Sequence, residues 1–380
     1  MKIVVAIDSF KGSLSTFEAG EAVLRGARRV YPNAEVEICP LADGGEGTVS
    51  AMVAALGGEM TETEVTGPLG KKVKAAYGIV SAERLAVMEM SAAAGITLVA
   101  EGERDPMNTT TYGVGEMISD AIEKGCRKFI MGIGGSATND GGIGMLQALG
   151  FEFLNSEGRE IAHAGRGLGE LCEIRTDKAL KELSGCDFLI ACDVKNTLCG
   201  KEGCSAVYGP QKGATPEAVE KMDAWLANYA RLTKNIYPRA DENFAGAGAA
   251  GGMGFAFLSY LGGRLESGIN LVIRETSLEE KIKSADIVIT GEGRLDGQSC
   301  MGKAPVGVAR VAKKYGKPVI AFSGAVREDA VECNKHGIDA FFPILRKIST
   351  LDEAMDIDNA SRNLADTAEQ TFRLIKAFSK

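Results

Sequence analysis

The stretch that decides the fold is Ile3-Val4-Val5-Ala6-Ile7, followed at once by Asp8-Ser9-Phe10-Lys11-Gly12-Ser13. Five consecutive apolar residues predict a strand buried on both faces, which is typical of a central strand in a parallel sheet. The sequence Ser15-Thr16-Phe17-Glu18 is a capping box and predicts the start of a helix. A strand, a polar loop and a helix in this order indicate an α/β domain whose ligand site lies outside the carboxyl end of the strand.

The same arrangement of an apolar strand followed by a loop of charges and glycines recurs along the chain. The further polar loops cover residues 42–48, 132–142, 193–196 and 291–297. Because ligands of open α/β sheets bind outside the carboxyl ends of the strands, we expect the five loops to converge on one polar site. Glycines let backbone N–H groups approach an anion, and carboxylates hold a metal or orient a hydroxyl group. The combination predicts phosphoryl transfer.

The chain of 380 residues is longer than a single core usually supports, so two domains are expected. Strands alternate with helices in the first 63 residues and in the last third, whereas residues 65–80 and 84–90 resemble antiparallel strands. We therefore predict an α/β fold of two domains. A discontinuous flavodoxin-like parallel-sheet domain takes residues 1–63 and 265–380, and an inserted mixed α/β domain takes residues 64–264.

A flavodoxin-like sheet has the strand order 2-1-3-4-5, with its switch point between the first and third strands. Here those strands are Ile3–Ile7 and Ile287–Thr290. Asp8, Ser9 and Lys11 are then expected to face Glu292, Arg294 and Asp296 across a crevice, with the active site lying between the two domains.

The composition excludes several classes of protein. A net charge of −8 argues against nucleic acid or an anionic membrane as the main partner. Nine scattered cysteines without a C-x-x-C motif, and only two histidines, argue against a zinc site and fit a reducing compartment. The amino terminus lacks the apolar length of a secretory signal, and we expect a cytoplasmic protein.

Two glycine motifs allow other interpretations. Gly132-Ile133-Gly134-Gly135-Ser136-Ala137 matches a relaxed dinucleotide motif, but no acid for a ribose follows at the right spacing. A nicotinamide-dependent oxidoreductase of a small hydroxy acid therefore stays open, as does a non-catalytic phosphometabolite-binding protein. The same loop is alternatively a phosphate site at a helix N-terminus. Gly297–Lys303 approaches a Walker A loop, but Ala304 replaces its Ser/Thr, which excludes a P-loop NTPase.

Taken together, the loops resemble those of the class I bacterial glycerate kinases. The resemblance covers nearly the whole chain and rests on six motifs in order: Asp8–Leu14, Leu41–Thr48, Gly132–Gly142, Cys192–Asn196, Gly209–Ala214 and Gly291–Asp296. It implies ATP- and Mg²⁺-dependent phosphorylation of D-glycerate to phosphoglycerate, with the 2-hydroxyl favoured as acceptor. One departure is Thr197, where the family pattern leads us to expect proline. An oligomer is compatible with this interpretation.

The resemblance suggests roles for individual residues. Substrate binding is expected of Asp8, Ser9, Lys11 and Arg294, because a planar carboxylate favours fixed cations. Asp193 or Asp296 would orient the attacking hydroxyl, with Lys11 as a further catalytic group. Phosphate binding is expected of Gly134, Gly135, Ser136, Thr138, Lys195 and Lys212. Asp43 and Glu46 would hold the metal.

Overall fold

The computed structural model of the protein describes residues 1–41 and 47–379. Its strands are β1 (Lys2–Ile7), β2 (Glu35–Ile38), β3 (Glu59–Thr66), β4 (Lys72–Val80), β5 (Leu85–Glu89), β6 (Lys128–Gly132), β7 (Glu152–Leu154), β8 (Glu173–Arg175), β9 (Asp187–Ala191), β10 (Arg264–Glu266), β11 (Ile287–Leu295), β12 (Val319–Val326) and β13 (Ala340–Pro343).

Its α-helices are α1 (Thr16–Arg28), α2 (Thr48–Leu56), α3 (Ser91–Ala94), α4 (Tyr112–Glu123), α5 (Ile143–Ala148), α6 (Cys204–Tyr208), α7 (Pro216–Ile236), α8 (Ala249–Tyr260), α9 (Gly268–Glu275), α10 (Leu278–Ser284), α11 (Ala304–Lys314), α12 (Glu332–Lys335), α13 (Leu351–Met355) and α14 (Ile357–Phe378). No helix of the described residues is long and apolar enough to cross a membrane.

The chain divides into two compact units. One unit comprises Met1–Asp43, Ser50–Leu56 and Ile269–Lys380, and the other comprises Gly44–Val49 and Gly57–Gly268. We call them the parallel-sheet unit and the mixed-sheet unit, and each is described by itself.

The parallel-sheet unit has a five-stranded sheet in the order β13-β12-β11-β1-β2. Every neighbouring pair is parallel, and Ile3 pairs with Ile287 while Ile7 pairs with Gly291. The predicted flavodoxin-like order is therefore confirmed, with the switch point between β1 and β11. Strand β1 lies inside the sheet, between β11 and β2, and its side chains from Ile3 onward are buried, as the continuous apolar run predicts.

Helix α1 begins where the sequence predicts it. The Ser15 side chain accepts a hydrogen bond from Glu18 N, and the Glu18 carboxylate accepts one from Ser15 N at 2.8 Å. This reciprocal pairing satisfies amide groups that the first turn leaves without partners. Its buried face then packs on the sheet and against α14, which begins at Ile357 because Asp356 caps its first turn.

The strand β11 is longer than the sequence predicts. The predicted strand ends at Thr290, whereas β11 continues to Leu295, which pairs with Val326 of β12. The extension is possible because glycine removes the side chain where backbones meet: a Cβ on Gly291 would lie 2.0 Å from the carbonyl oxygen of Phe322. Gly293 similarly lets the loop after β1 approach, since its Cβ would lie 3.3 Å from Phe10 Cα. The predicted loop 291–297 is thus largely a strand.

The mixed-sheet unit has a six-stranded sheet in the order β10-β9-β6-β5-β4-β3. The pair β4–β5 is antiparallel, as predicted for residues 65–80 and 84–90, and β3 adds a further antiparallel strand beside β4. Strands β5, β6, β9 and β10 are parallel. Helices α4, α5 and α8 contribute to one apolar core with the sheet, in which Phe129 stacks on Phe188. The predicted class, α/β with a parallel sheet and a mixed sheet, is confirmed.

We predict that Gly291→Ala destabilises the parallel-sheet unit. The new methyl group meets a backbone carbonyl that cannot rotate away, and overpacking of this kind costs about 1–3 kcal/mol of unfolding free energy. Thermal and urea denaturation monitored by circular dichroism would measure the change. Gly102→Ala is the control, because its Cβ meets no atom within 4 Å and should change stability by less than about 0.5 kcal/mol. Equal midpoints for the two variants would contradict the prediction.

Candidate active site

Asp8 follows β1 at the carboxyl edge of the parallel sheet, at the switch point. Its backbone N–H donates to Gly291 O at 3.0 Å, which continues the β1–β11 pairing by one residue. The side chain is 5% exposed, and its Oδ1 accepts from Ser9 N at 2.7 Å. Lys11, in the same loop, is exposed. The predicted substrate-binding residues after β1 therefore lie beside the end of β11.

Arg294 and Asp296 lie at the end of β11 and pair with each other. Arg294 Nε donates to Asp296 Oδ2 at 3.1 Å, and Gln298 N donates to Oδ1 at 3.0 Å. The Asp296 side chain is only 4% exposed, whereas that of Arg294 is 58% exposed. A guanidinium group has five N–H donors in a fixed geometry, and the bond to Asp296 uses Nε. The arrangement fixes a carboxylate and presents a cation at the same strand end.

A second buried acid, Glu292, stands two residues before Arg294. It is one of the residues predicted to face the crevice, although no binding or catalytic role is predicted for it. The Ser299 hydroxyl donates to the Glu292 carboxylate and accepts from Asp296 N at 3.1 Å. The Ser323 hydroxyl donates to Glu292 O at 2.9 Å. We call Glu292, Asp296 and Ser299 the acid cluster. The charged residues after the apolar part of β11 point to Glu292 in the sequence. No feature of the sequence around Ser299 indicates its contacts with the two acids.

The glycine loop of the mixed-sheet unit follows β6 and is held at its centre. Gly134 and Gly135 are exposed, and Gly135 has a φ of +72°. Ile96 N donates to Gly135 O at 2.8 Å, and Ala137 N donates to Ala94 O at 2.9 Å. Helix α5 begins at Ile143, directly after the loop, as the helix interpretation of this motif expects. Before it reaches the helix, the loop bends back on the 94–96 segment.

Lys212 lies beneath this loop. Its ammonium group donates to Ser136 Oγ at 2.7 Å and to Thr138 O at 2.6 Å, and the residue is 2% exposed. Burial lowers the pKa of Lys212 to about 8. Within the described residues the buried Thr138 hydroxyl has no hydrogen-bond partner. The structure thus brings Ser136, Thr138 and Lys212 together, with the cation on the inner side of the loop.

Asp140 anchors the far end of the loop and was also missed as a site residue. It is fully buried, and its carboxylate accepts from Thr111 N at 2.8 Å, from Thr111 Oγ1 at 2.7 Å and from Gly142 N at 3.1 Å. Burial raises the pKa of the Asp140 carboxyl, against hydrogen bonds that lower it. The only sequence signal was the high polarity of residues 136–140.

Asp193 and Lys195 follow β9, which is the neighbour of β6 in the mixed sheet. Gly132 pairs with Ala191, so the two loops leave adjacent strand ends on the same edge of the sheet. Both residues are exposed, and Asp193 Oδ1 accepts from Gly268 N at 3.2 Å, at the start of α9. The carboxylate at this position therefore also caps a helix.

Glu89, at the carboxyl end of β5, is another polar residue that the sequence analysis does not identify. Its carboxylate accepts from Val49 N at 3.1 Å and from the Ser91 hydroxyl at 3.5 Å. It pairs in register with Gly132, the last residue of β6. An acid directly after an apolar strand is the signal that could have found it.

The predicted metal ligands Asp43 and Glu46 lie outside the described residues. Among the residues that the structure does describe, no group of three or more His, Cys, Asp or Glu side chains is arranged to hold a metal. Magnesium is commonly bound by one or two carboxylates together with substrate phosphates and water, so a protein cage is not required. The oxygen donors of Asp8 and the acid cluster are of the type that suits a hard cation.

Two α/β units with acids, lysines and a glycine loop at the carboxyl ends of their strands are typical of α/β enzymes that bind small anionic ligands. The model of the glycerate kinase family matches residues 3–376. A glycerate kinase from Haemophilus influenzae is 46% identical over 375 residues, which cover 99% of each chain. A glycerate 2-kinase from Escherichia coli is 48% identical over 372 residues, covering 97% of this chain and 98% of that protein.

The structural comparison agrees with the sequence comparisons. A crystal structure of a protein assigned as glycerate kinase 2 from Salmonella typhimurium LT2 matches with a TM-score of 0.91 and 47% sequence identity, covering 99% of this chain and 98% of that one. The chain therefore belongs to the glycerate kinase family. The predicted family and the predicted kinase class are confirmed.

We predict that Lys212 makes stability depend on pH in a defined window. In the folded protein the side chain loses its proton near pH 8, whereas its ordinary pKa is 10.5. The unfolded chain binds more protons between these values, so the contribution of Lys212 to the free energy of unfolding rises with pH across that window. Lys212→Met lacks this contribution. The stability of the wild type relative to the variant should therefore increase from about pH 7.5 to about pH 10.

Urea denaturation at several pH values would measure this difference. Lys201→Met is the matched control, because Lys201 is an exposed lysine of the same unit. Its stability difference from the wild type gives the baseline against which the pH dependence of Lys212→Met is compared. A constant difference for Lys212→Met would show that the buried ammonium group keeps its ordinary titration.

Proposed function

We propose that the protein transfers the γ-phosphoryl group of ATP to D-glycerate in a Mg²⁺-dependent reaction that forms ADP and 2-phosphoglycerate. Membership of the glycerate kinase family supports the phosphoryl acceptor. The name of the Escherichia coli relative, glycerate 2-kinase, supports the 2-hydroxyl as the acceptor group. The observation that carries the proposal is the fixed, buried carboxylate of Asp296 beside the exposed guanidinium of Arg294.

Arg294 and Lys11 are suited to bind the glycerate carboxylate. Both are exposed cations, and they belong to the strand end and the loop that flank the switch point. The planar guanidinium matches the two oxygens of a carboxylate, and Nε already rests on Asp296. If Arg294 binds the carboxylate of glycerate, the 2-hydroxyl group of glycerate would lie toward the Asp296 side chain. Asp8 and Ser9 are proposed to contact the hydroxyl groups.

Asp296 is our preferred group for orienting the attacking hydroxyl. Its carboxylate is held by Arg294 and by Gln298 N, and Ser299 supports its backbone. Phosphoryl transfer needs a positioned acceptor more than covalent help, so a carboxylate with a fixed orientation is effective. As the 2-hydroxyl oxygen bonds to the γ-phosphorus and the bond to the bridging oxygen breaks, the hydroxyl proton passes to Asp296. Asp193 is the alternative, but it is exposed and caps α9.

The glycine loop is proposed to bind the phosphate groups of ATP. Gly134 and Gly135 expose backbone to solvent, and glycine lets an anion approach the N–H groups. Lys195 is an exposed cation after the adjacent strand β9. Lys212 and Thr138 are buried, so we propose that they hold the loop in place and do not contact the phosphates directly. Ser136, which accepts a hydrogen bond from Lys212, would connect the buried ammonium group to the exposed part of the loop.

Magnesium would supply charge neutralisation of the phosphate oxygens when it is bound with the nucleotide. Asp43 and Glu46 stay the proposed ligands. Acidic oxygen donors without histidine or cysteine are the donor set that magnesium prefers.

We predict that ADP forms only when ATP, Mg²⁺ and D-glycerate are all present. A coupled assay for ADP would measure turnover, with omission of glycerate and addition of excess chelator as the two key conditions. Phosphorus NMR of the product would distinguish 2-phosphoglycerate from 3-phosphoglycerate. Equal ADP formation without glycerate would refute the kinase proposal, and a 3-phosphoglycerate signal would refute the proposed position of transfer.

We predict that Asp296→Asn lowers kcat by roughly 10²–10⁴ with little change in ATP affinity, because the amide cannot accept the proton. Asp193→Asn should retain most of the activity. Asp358→Asn is the matched control, since Asp358 is an exposed acid of the same unit as Asp296. Steady-state kinetics and ATP-binding calorimetry would separate the two effects. A large loss of kcat in Asp193→Asn alone would transfer the role to that residue.

A further inference from the structure

Cys300 and Cys333 bring two thiols together beside the acid cluster, and the proposed reaction uses neither of them. Their sulfur atoms are 3.0 Å apart, and both residues are buried free cysteines. Non-bonded heavy atoms such as carbon usually stay about 3.5–4.0 Å apart, whereas the sulfurs of a disulfide are about 2.0 Å apart. The distance between the thiols therefore lies between an ordinary contact and a bond.

The fold holds the two thiol-bearing segments at this spacing. Cys300 lies in the 3-10 turn after β11, and Cys333 lies in α12, 33 residues later. Arg327 N donates to Leu295 O at 3.0 Å, and Cys333 Sγ lies 3.9 Å from Asp296 O, to which it donates. The proximity of the thiols is thus a product of the tertiary structure, and little movement is needed to join them.

We propose that Cys300 and Cys333 are a reversible disulfide site that takes a low-molecular-weight disulfide as its oxidant. The Cys300 thiolate attacks one sulfur of the oxidant, forms a mixed disulfide and releases one small thiol. The Cys333 thiolate then attacks the Cys300 sulfur, closes the protein disulfide and releases the second small thiol. The two protein thiols are oxidised, the oxidant is reduced to two thiols, and the protons from the protein thiols balance those on the products.

The environment of the two thiols sets the order of these steps. Cys300 retains 9% of its surface exposed, whereas Cys333 is completely buried. Burial, and then the hydrogen bond with Cys300, raise the pKa of the Cys333 thiol. Cys300 is therefore the thiol that meets the oxidant, and Cys333 completes the exchange from inside the fold. Small oxidants should be preferred over large ones, because so little of the pair is exposed.

Closing the disulfide should alter the acid cluster. Ser299 directly precedes Cys300, and its hydroxyl bonds to Glu292 and to Asp296 N. Drawing the sulfurs together by about 1 Å displaces this turn. Misplacement of a catalytic group by about 1 Å can cost roughly 10²-fold in rate, so we expect a 10- to 100-fold loss of kcat. This consequence for activity rests on the proposed function of Asp296, whereas formation of the disulfide does not.

The first experiment detects the bond itself. The full-length protein is treated with 2-hydroxyethyl disulfide, a small neutral oxidant, blocked with N-ethylmaleimide and digested with trypsin. Cys300 lies in the tryptic peptide 295–303 and Cys333 in the peptide 328–335. We expect a linked species lighter by two hydrogens than the two peptides together, which dithiothreitol removes. Recovery of both peptides carrying maleimide, with no linked species, would overturn the proposal.

The second experiment tests the consequence for turnover. The ADP formation of the oxidised wild type should fall 10- to 100-fold and recover with dithiothreitol, whereas Cys300→Ser, which lacks the thiol that meets the oxidant, should resist the oxidant. Cys172→Ser is the matched control, because Cys172 is an exposed thiol of the mixed-sheet unit, and it should respond like the wild type.

The outcomes of the two experiments separate the two proposals. A linked peptide with unchanged turnover would overturn the effect on activity. A reduced wild type that forms no ADP from ATP, Mg²⁺ and glycerate would refute the proposed function, while the peptide map of the wild type still decides the disulfide. That map also needs no variant, so it remains decisive if Cys300→Ser does not fold.

Discussion

The parallel pairing of β1 with β11 is the constraint on which the parallel-sheet unit depends. It joins the first strand of the chain to a strand that begins at Ile287, and it fixes the switch point of the sheet. The residues that follow this register belong to the candidate site: Asp8 continues the pairing on one strand, and Glu292 follows on the other. Gly293 leaves room for the loop after β1, since its Cβ would lie 3.3 Å from Phe10 Cα, and Gly291 leaves room for β12 on the other side of β11.

In the mixed-sheet unit, the glycine loop after β6 is held by buried ionisable side chains. Burial of an unpaired ion is costly, and proteins tolerate it when hydrogen bonds satisfy the group. Lys212 is held by Ser136 and a carbonyl group, and Asp140 by Thr111 and Gly142 N. The two anchors lie under the middle and at the end of one glycine-rich segment. The flexibility that glycine brings to a loop is therefore limited here by polar contacts from inside the unit.

Much of the fold could be predicted from the sequence, because its signals are local. The apolar run before Asp8 predicts a buried strand, and the capping box at Ser15 predicts the start of α1. The alternation of strands and helices in the first 63 residues and in the last third predicts the parallel sheet. The extension of β11 could not be predicted, because charged residues such as Glu292 are typical of a loop. Only the pairing with β12, which is distant in sequence, makes this segment a strand. The burial of Lys212 was hidden for the same reason: its partner Ser136 is 76 residues away. The roles of the site residues stay predictions, including those of Asp43 and Glu46, which lie outside the described residues.

The discontinuous unit has a consequence for synthesis on the ribosome. Contacts between the β1 and β11 regions span about 284 residues, as for Lys2 and Asp286. At about 5–20 residues per second, the amino-terminal strand waits roughly 15–60 s for its neighbour. During this interval the segment Gly57–Gly268 emerges as one continuous stretch and can fold, while one side of the apolar β1 has no partner. Nascent chains of this protein should therefore be clients of ribosome-associated chaperones, which would shield an unpaired strand until translation is nearly finished.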